Sequence, residues 1–244
     1  MTESQQKTNG PLLKVDGLHA YYGLAHILAD VALEVRRDEV VALLGRNGAG
    51  KSTTMKSVMG LVPPAKGSVQ FNGQEVAGLE PHLIAQAGLG YVPEDRRVFS
   101  ELTVLENLTV GRQPPREGAP EWTIERVFDL FPKMAELRDR PSGRMSGGEQ
   151  QMLTIIRTLM GNPSLVLLDE PSEGLAPIIV EQMANAILKL KTEGLSILLS
   201  EQNLHFSDLV SDRAYIIEKG GIRYEGAMSD LAKDEEVRAA YLTV

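Results

Sequence analysis

The stretch Gly45-Arg46-Asn47-Gly48-Ala49-Gly50-Lys51-Ser52 fits the pattern G-x-x-x-x-G-K-[ST], and Thr53 follows it. Glycines let successive backbone N–H groups curl around an anion, and a helix opening directly after them aims its positive end at the same place. Lys51 would reach the β- and γ-phosphates of a nucleoside triphosphate, and the Ser52 hydroxyl would ligate Mg²⁺. Farther along, the apolar run Leu165-Val166-Leu167-Leu168 ends in Asp169-Glu170. Beside a bound phosphate, Asp169 could hold the hydrated metal and Glu170 could take a proton from an attacking water. An isolated Asp-Glu pair is usually a solvated loop; the buried strand before it and the phosphate loop upstream reverse that reading. Ser146-Gly147-Gly148-Glu149 opens a helical stretch, giving a second helix N-terminus suited to phosphate.

These groups need a rigid frame, and the surrounding pattern supplies one. Val40 to Leu44 is continuously apolar and stops at glycine, as a strand buried on both faces does; Leu165 to Leu168 and Ser196 to Ser200 read the same way. Helical patterns lie at Glu149 to Met160 and Ile178 to Lys191, and shorter strands at Leu12 to Leu18 and Val31 to Val35. The alternation predicts an α/β core with a mostly parallel sheet and an N-terminal antiparallel β portion. From about Glu101 to Met160 the alternation breaks into helical patterns around a loop, Gln113 to Pro120. The expectation is a single domain over 12–240, a helical subdomain inserted over 95–160, and a flexible tail over 1–10. On the helix behind Gly148, Met152, Ile155, Ile156, Leu159 and Met160 recur at helical spacing and are read as core.

The 244 residues carry 33 acidic and 25 basic side chains, a net charge of -8, and no cysteine. That composition excludes a disulfide scaffold and thiolate zinc, and argues against nucleic acid as partner. No apolar run reaches the roughly 18 to 20 residues that span a bilayer, and MTESQQKTNG has no signal-peptide pattern. Composition alone therefore predicts a soluble cytoplasmic protein. The histidines (His19, His26, His82, His205) show no metal-ligand spacing, and Trp122 reads as a packing residue.

Taken together, the phosphate loop, Met145-Ser-Gly-Gly-Glu-Gln-Gln151 and Leu-Val-Leu-Leu-Asp-Glu-Pro171 closely resemble the motifs of ATP-binding cassette (ABC) ATPases. The likeness runs from about Leu12 to Leu242. It implies a phosphate-loop NTPase fold, ATP and Mg²⁺ as ligands, and a head-to-tail pair of cassettes. In that arrangement Ser146, Gly147, Gly148 and Glu149 close over the ATP of the partner. It also implies two transmembrane permease subunits, an external solute-binding protein, and a peripheral position on the cytoplasmic face of the inner membrane. Tyr22 matches the aromatic that stacks on adenine. Its neighbour Tyr21 points to the opposite face of a strand, so only one of them can stack. A purely structural tyrosine is the rival reading.

Certain positions depart from the common cassette pattern. Glu94 stands where a glutamine usually contacts the metal, Gln202 where a histidine usually contacts the γ-phosphate, Glu149 where the signature has glutamine, and Ala176 where aspartate is usual. Glutamate is a hard-oxygen ligand and can keep the metal role. Gln202 can donate a neutral N–H to phosphate but carries no proton or charge. With Lys51 and Glu170 retained, an active site is expected. Pro93-Glu-x-Arg-Arg-Val-Phe99, Gly174-Leu-Ala-Pro177 and Glu201-Gln-Asn203 further resemble the smaller ATPase subunit of bacterial branched-chain amino-acid uptake systems. That resemblance implies an unlike cassette as partner and a permease contact near Arg96, Arg97 and Phe99. Cassettes for urea, short amides and similar solutes look much alike, and a weakly hydrolysing regulatory module is a further reading. A phosphate-loop kinase would leave the signature without a task.

Overall fold

The apolar runs of the sequence become the centre of a sheet. The computed structural model describes residues 10–242, so the tail expected over 1–10 lies outside them except for Gly10. Strands β1 (Leu13–Tyr22), β2 (Ala25–Val35) and β3 (Val40–Leu44) come first, then helix α1 (Lys51–Val58) directly behind the phosphate loop. There follow β4 (Lys66–Phe71), β5 (Gln74–Glu75), α2 (Pro81–Ala87) and β6 (Leu89–Val92). The chain then turns helical, with α3 (Val104–Gly111), α4 (Ile124–Leu130), α5 (Pro132–Glu136), a 3₁₀ turn at Ser142–Arg144, and α6 (Gly147–Leu159). It returns to alternation with β7 (Leu165–Asp169), α7 (Pro177–Thr192), β8 (Ser196–Glu201), α8 (Leu204–Val210), β9 (Arg213–Glu218) and β10 (Gly221–Ala227). Two short helices close it, α9 (Met228–Leu231) and α10 (Glu235–Tyr241).

A six-stranded sheet in the order β10-β9-β3-β8-β7-β6 is parallel except where β10 meets β9. A four-stranded antiparallel sheet, β2-β1-β4-β5, lies beside it. This is the α/β phosphate-loop architecture the sequence predicts. Strands alternate their side chains between faces, so the larger sheet divides two cores. Val40, Ala42 and Leu44 of β3 join Val166 and Leu168 of β7 on one side. Val41, Leu43, Leu165 and Leu167 face the other, against the antiparallel sheet and Met55 and Val58 of α1. That two-sided burial is why these strands read as unbroken apolar runs.

The first of these cores extends without interruption into the helical stretch. Val104 and Leu108 of α3, Val127 of α4, Met134 of α5 and Leu153, Ile155 and Ile156 of α6 belong to the same cluster as the sheet residues. Trp122, nearly fully buried, sits in that cluster too, with the Arg126 guanidinium 4.8 Å from its ring centroid. Met152 alone of the α6 stripe is only partly buried. The segment Gln113 to Pro120 carries no helix or strand, and Arg116 from it binds carbonyls at the end of α2 and at Gly161. Among the described residues no helix is long and apolar enough to cross a membrane.

Candidate active site

The phosphate loop hangs between the end of β3 and the first turn of α1, anchored where Gly45 N–H donates to the Glu201 carbonyl over 3.4 Å. Gly50 caps α1 with φ at 116°, a left-handed geometry that favours glycine, and a methyl there would lie 2.9 Å from Leu28 Cδ2. Lys51 is buried beneath the loop, 3% exposed, and Glu170 opposite it is 7% exposed. The Lys51 ammonium bonds Glu170 Oε1 at 2.9 Å, the Gly45 carbonyl at 2.9 Å and the Arg46 carbonyl at 3.2 Å. Gln202 Nε2 donates to Glu170 Oε2 at 2.8 Å and to Asn47 Oδ1 at 2.6 Å. The two side chains expected to meet phosphate, Lys51 and Gln202, thus both bond the Glu170 carboxylate.

Asp169 ends β7 almost fully buried and accepts from three hydroxyls: Ser52 at 2.9 Å, Ser200 at 2.7 Å and Tyr91 at 3.1 Å. Burial, then the Asp169 charge beside it, pushes the Tyr91 hydroxyl well above its ordinary pKa, so it stays a donor. Ser200 also receives the Glu170 backbone N–H on its Oγ at 3.1 Å. That pins Glu170 at φ 47°, a left-handed conformation costing a non-glycine residue about 1–3 kcal/mol. Burial pushes the Glu170 carboxyl up, but hydrogen bonding and charge from Lys51, with Gln202, outweigh it and hold the pKa below its usual value. Glu173, three residues on, is pushed up to about 7 by desolvation and by the Glu170 and Glu94 carboxylates.

Lys51, Ser52 and Glu170 open on a cleft of about 520 Å³ lined also by Tyr22, Ile27, Asn47, Gly48, Gly50, Thr53, Glu94 and Glu173. Asp169 and Gln202 do not line it and bond residues that do. Ala49 is buried behind the loop. Tyr22 stands at the cleft wall, whereas Tyr21 stacks on His26 with centroids 4.3 Å apart. The Ser52 and Asp169 oxygens converge through their hydrogen bond, and Glu94 lines the same cleft as Ser52; hard oxygens of this kind would suit Mg²⁺. Tyr91, Ser200 and Glu173 were not singled out by type and spacing. Tyr91 and Ser200 lie far along the chain from Asp169, and only the parallel register of β6, β7 and β8 brings them together, whereas Glu173 lies three residues beyond Glu170.

The signature residues lie elsewhere, and none of them lines this cleft. Ser146 is the N-cap of α6, its Oγ accepting from Glu149 N–H while the Glu149 carboxylate accepts from Ser146 N–H at 2.8 Å. This reciprocal box satisfies helix-end donors and lowers the Glu149 pKa against the opposing effect of burial. The spacing S-x-x-E was itself a legible sign of it. Gly148 must lack a side chain, since a methyl there would lie 2.4 Å from Ile179 Cγ2 of α7.

A phosphate loop at a strand end, a strand-terminal Asp-Glu and a separate glycine-rich helix start define an ATP-hydrolysing cassette. The profile of the ABC transporter family matches residues 28–173. The chain is 43% identical, over 95% of its length and 99% of the relative's, to the high-affinity branched-chain amino acid transport ATP-binding protein BraG of Pseudomonas aeruginosa. It is 35% identical to the lipopolysaccharide export system ATP-binding protein LptB of Haemophilus influenzae, covering 95% of this chain and 97% of that one. Its fold superimposes on the ADP conformation of an ATP-binding cassette of an ABC transporter with a TM-score of 0.82 at 28% identity, over 95% of this chain and 98% of the other. The chain belongs to the ABC transporter family, as an ATP-binding and ATP-hydrolysing subunit.

Proposed function

We propose that this subunit drives import of branched-chain amino acids, working as one cassette of a head-to-tail pair bound to two permease subunits. The observation that carries the substrate class is the 43% identity to BraG over nearly the whole of both chains. LptB, at 35%, motivates export of a lipid-linked solute as the second reading.

In the proposed cycle, the triphosphate enters the cleft and takes the Lys51 ammonium away from the Gly45 and Arg46 carbonyls and from Glu170. Glu170, already favoured as the carboxylate, then accepts a proton from the water that attacks the γ-phosphorus. The bond to the β-γ bridging oxygen breaks and ADP leaves with that oxygen. Gln202 turns its Nε2–H from Glu170 and Asn47 to a γ-phosphate oxygen. Ser52, Asp169 and Glu94 would hold Mg²⁺, which would supply neutralisation of phosphate charge. The α6 N-terminus at Ser146, Gly147 and Gly148 serves the partner's phosphates, consistent with its absence from this chain's own cleft. A groove containing His82, Phe99, Val110 and Arg157 receives a permease segment; Phe99 and Val110 are 48% and 57% exposed there. That attachment would hold the chain at the cytoplasmic face of the inner membrane, with an external binding protein delivering the solute.

The test is uptake of radiolabelled leucine by vesicles containing the complex isolated through a tag on this chain. ATP-dependent leucine uptake that disappears in Glu170→Gln supports the reading. Turnover with no leucine, isoleucine or valine uptake refutes the substrate, and unchanged ATPase in Glu170→Gln refutes the residue roles.

A further inference from the structure

One buried carboxylate has no part in the cycle above. Glu201, the last residue of β8, is 2% exposed and touches the three loops that meet at the cleft. Its Oε1 accepts from Ser172 N–H at 2.9 Å, in the turn immediately after Glu170. Its Oε2 accepts from Gln202 N–H and Asn203 N–H, each at 3.2 Å. Its main-chain carbonyl accepts from Gly45 N–H, the first residue of the phosphate loop. A buried carboxylate costs several kcal/mol in desolvation unless its lone pairs are satisfied, and here both oxygens are matched to backbone donors.

Besides the Glu170 N–H bond to Ser200 of β8, two side-chain ties join the Glu170 turn and the Gln202 loop. One tie is the Gln202–Glu170 side-chain bond, which phosphate must displace. The other is Glu201, whose bonds involve backbone groups outside the cleft and need not change. We propose that Glu201 is a positioning residue for hydrolysis, its carboxylate keeping the Glu170 turn and the Gln202 loop in fixed register once phosphate has separated their side chains. The inference rests on the reading of Glu170 as the hydrolytic carboxylate and deepens it. Isosteric replacement by glutamine exposes the dependence, because an amide NH₂ must face a donor: either Ser172 N–H, or Gln202 and Asn203 N–H. One loop is released whichever way the amide turns.

The experiment compares Glu201→Gln, Glu201→Asp, Glu170→Gln, Gln202→Ala and the double variant Glu201→Gln/Gln202→Ala in the complex isolated through a tag on the full chain. ATPase kinetics, binding of a fluorescent ATP analogue and melting temperature are measured on each. In Glu201→Gln, kcat falls about 10- to 100-fold, the scale of an ångström of misplacement, while KM and analogue affinity hold. In the double variant the losses combine less than multiplicatively, because both act on one loop. Glu201→Asp keeps two acceptors and retains more kcat than Glu201→Gln; should the glutamine variant fail to fold, the aspartate variant decides on the same kcat-against-KM split. A lowered melting temperature with unchanged kcat, a change in KM alone, or strictly multiplicative losses overturns the proposal. Turnover surviving in Glu170→Gln strikes the hydrolysis reading instead, so the two failures are distinct.

Discussion

Replacing Lys51 by methionine tests the resting clamp on Glu170. The substitution keeps an unbranched side chain of similar length and removes only the ammonium that bonds Glu170 and two loop carbonyls. Breaking a buried ion pair from one side typically costs about 3–5 kcal/mol, but Glu170 keeps its Gln202 bond and borders an open cleft, so about 2 kcal/mol is expected. For a chain of this size that lowers the melting temperature by about 4–8 °C. The pH dependence carries the sharper sign. In the native protein the Glu170 pKa lies below its unfolded value, so its contribution is present above the unfolded pKa and is lost as pH falls through the folded one. Without Lys51, burial dominates and raises the pKa; the deficit is then greatest at high pH and shrinks as pH falls toward the unfolded value. The assay is nucleotide-free thermal unfolding of both proteins at about pH 8 and about pH 5, with Glu170→Gln added to each. The gap should narrow at the lower pH, and Glu170→Gln should restore stability to the methionine variant. An equal gap at both pH values, or a further loss on adding Glu170→Gln, would refute the clamp.

Glu149→Ala should destabilise the chain by about 1 kcal/mol in urea unfolding through loss of the α6 capping box, whereas Glu149→Gln, which can still reach the Ser146 N–H, should not. Tyr91→Phe removes one of the hydroxyls on Asp169 and should raise the Mg²⁺ concentration needed for half-maximal ATPase while leaving the KM for ATP unchanged; an unaltered Mg²⁺ dependence would count against Asp169 as a metal-side residue. Glu173 binds its proton more tightly folded than unfolded. Stability of the nucleotide-free chain should therefore fall as pH rises from the unfolded glutamate value to about 7, and Glu173→Gln should abolish that fall in pH-stepped unfolding curves.

Residues whose surroundings are local were the ones the sequence revealed. β3, β7 and β8 stood out because burial on both faces leaves no polar position to interrupt the run. The phosphate loop stood out because its anion cradle is built from consecutive backbone groups. β10 was not read as a strand, for it mixes Arg223 and Glu225 with small residues and half-exposed positions at the sheet edge. The apolar pattern of β1 is legible only to Leu18 although the strand continues to Tyr22, since its far end pairs with β2 beyond a bulge and Tyr21 and Tyr22 there are exposed. Within the site, Ser200 and Tyr91 look like ordinary strand residues. Their hydroxyls matter only because strands adjacent in space, and distant in sequence, put them beside Asp169. Glu201 lies within the Glu201-Gln-Asn203 motif, and nothing in its type shows that backbone donors from two loops converge on it.

The apolar cluster that passes unbroken from the sheet into α3, α4, α5 and α6 limits how the signature can travel. A lobe with a core of its own can swing on a linker. Here Leu153, Ile155 and Ile156 of the signature helix belong to the same buried cluster as Val166 and Leu168 of the strand that ends in Asp169. Close-packed surfaces of this kind slide by small shear steps and resist free rotation. Any advance of that helix toward a partner would have to be accommodated within the packed layer that also carries β7.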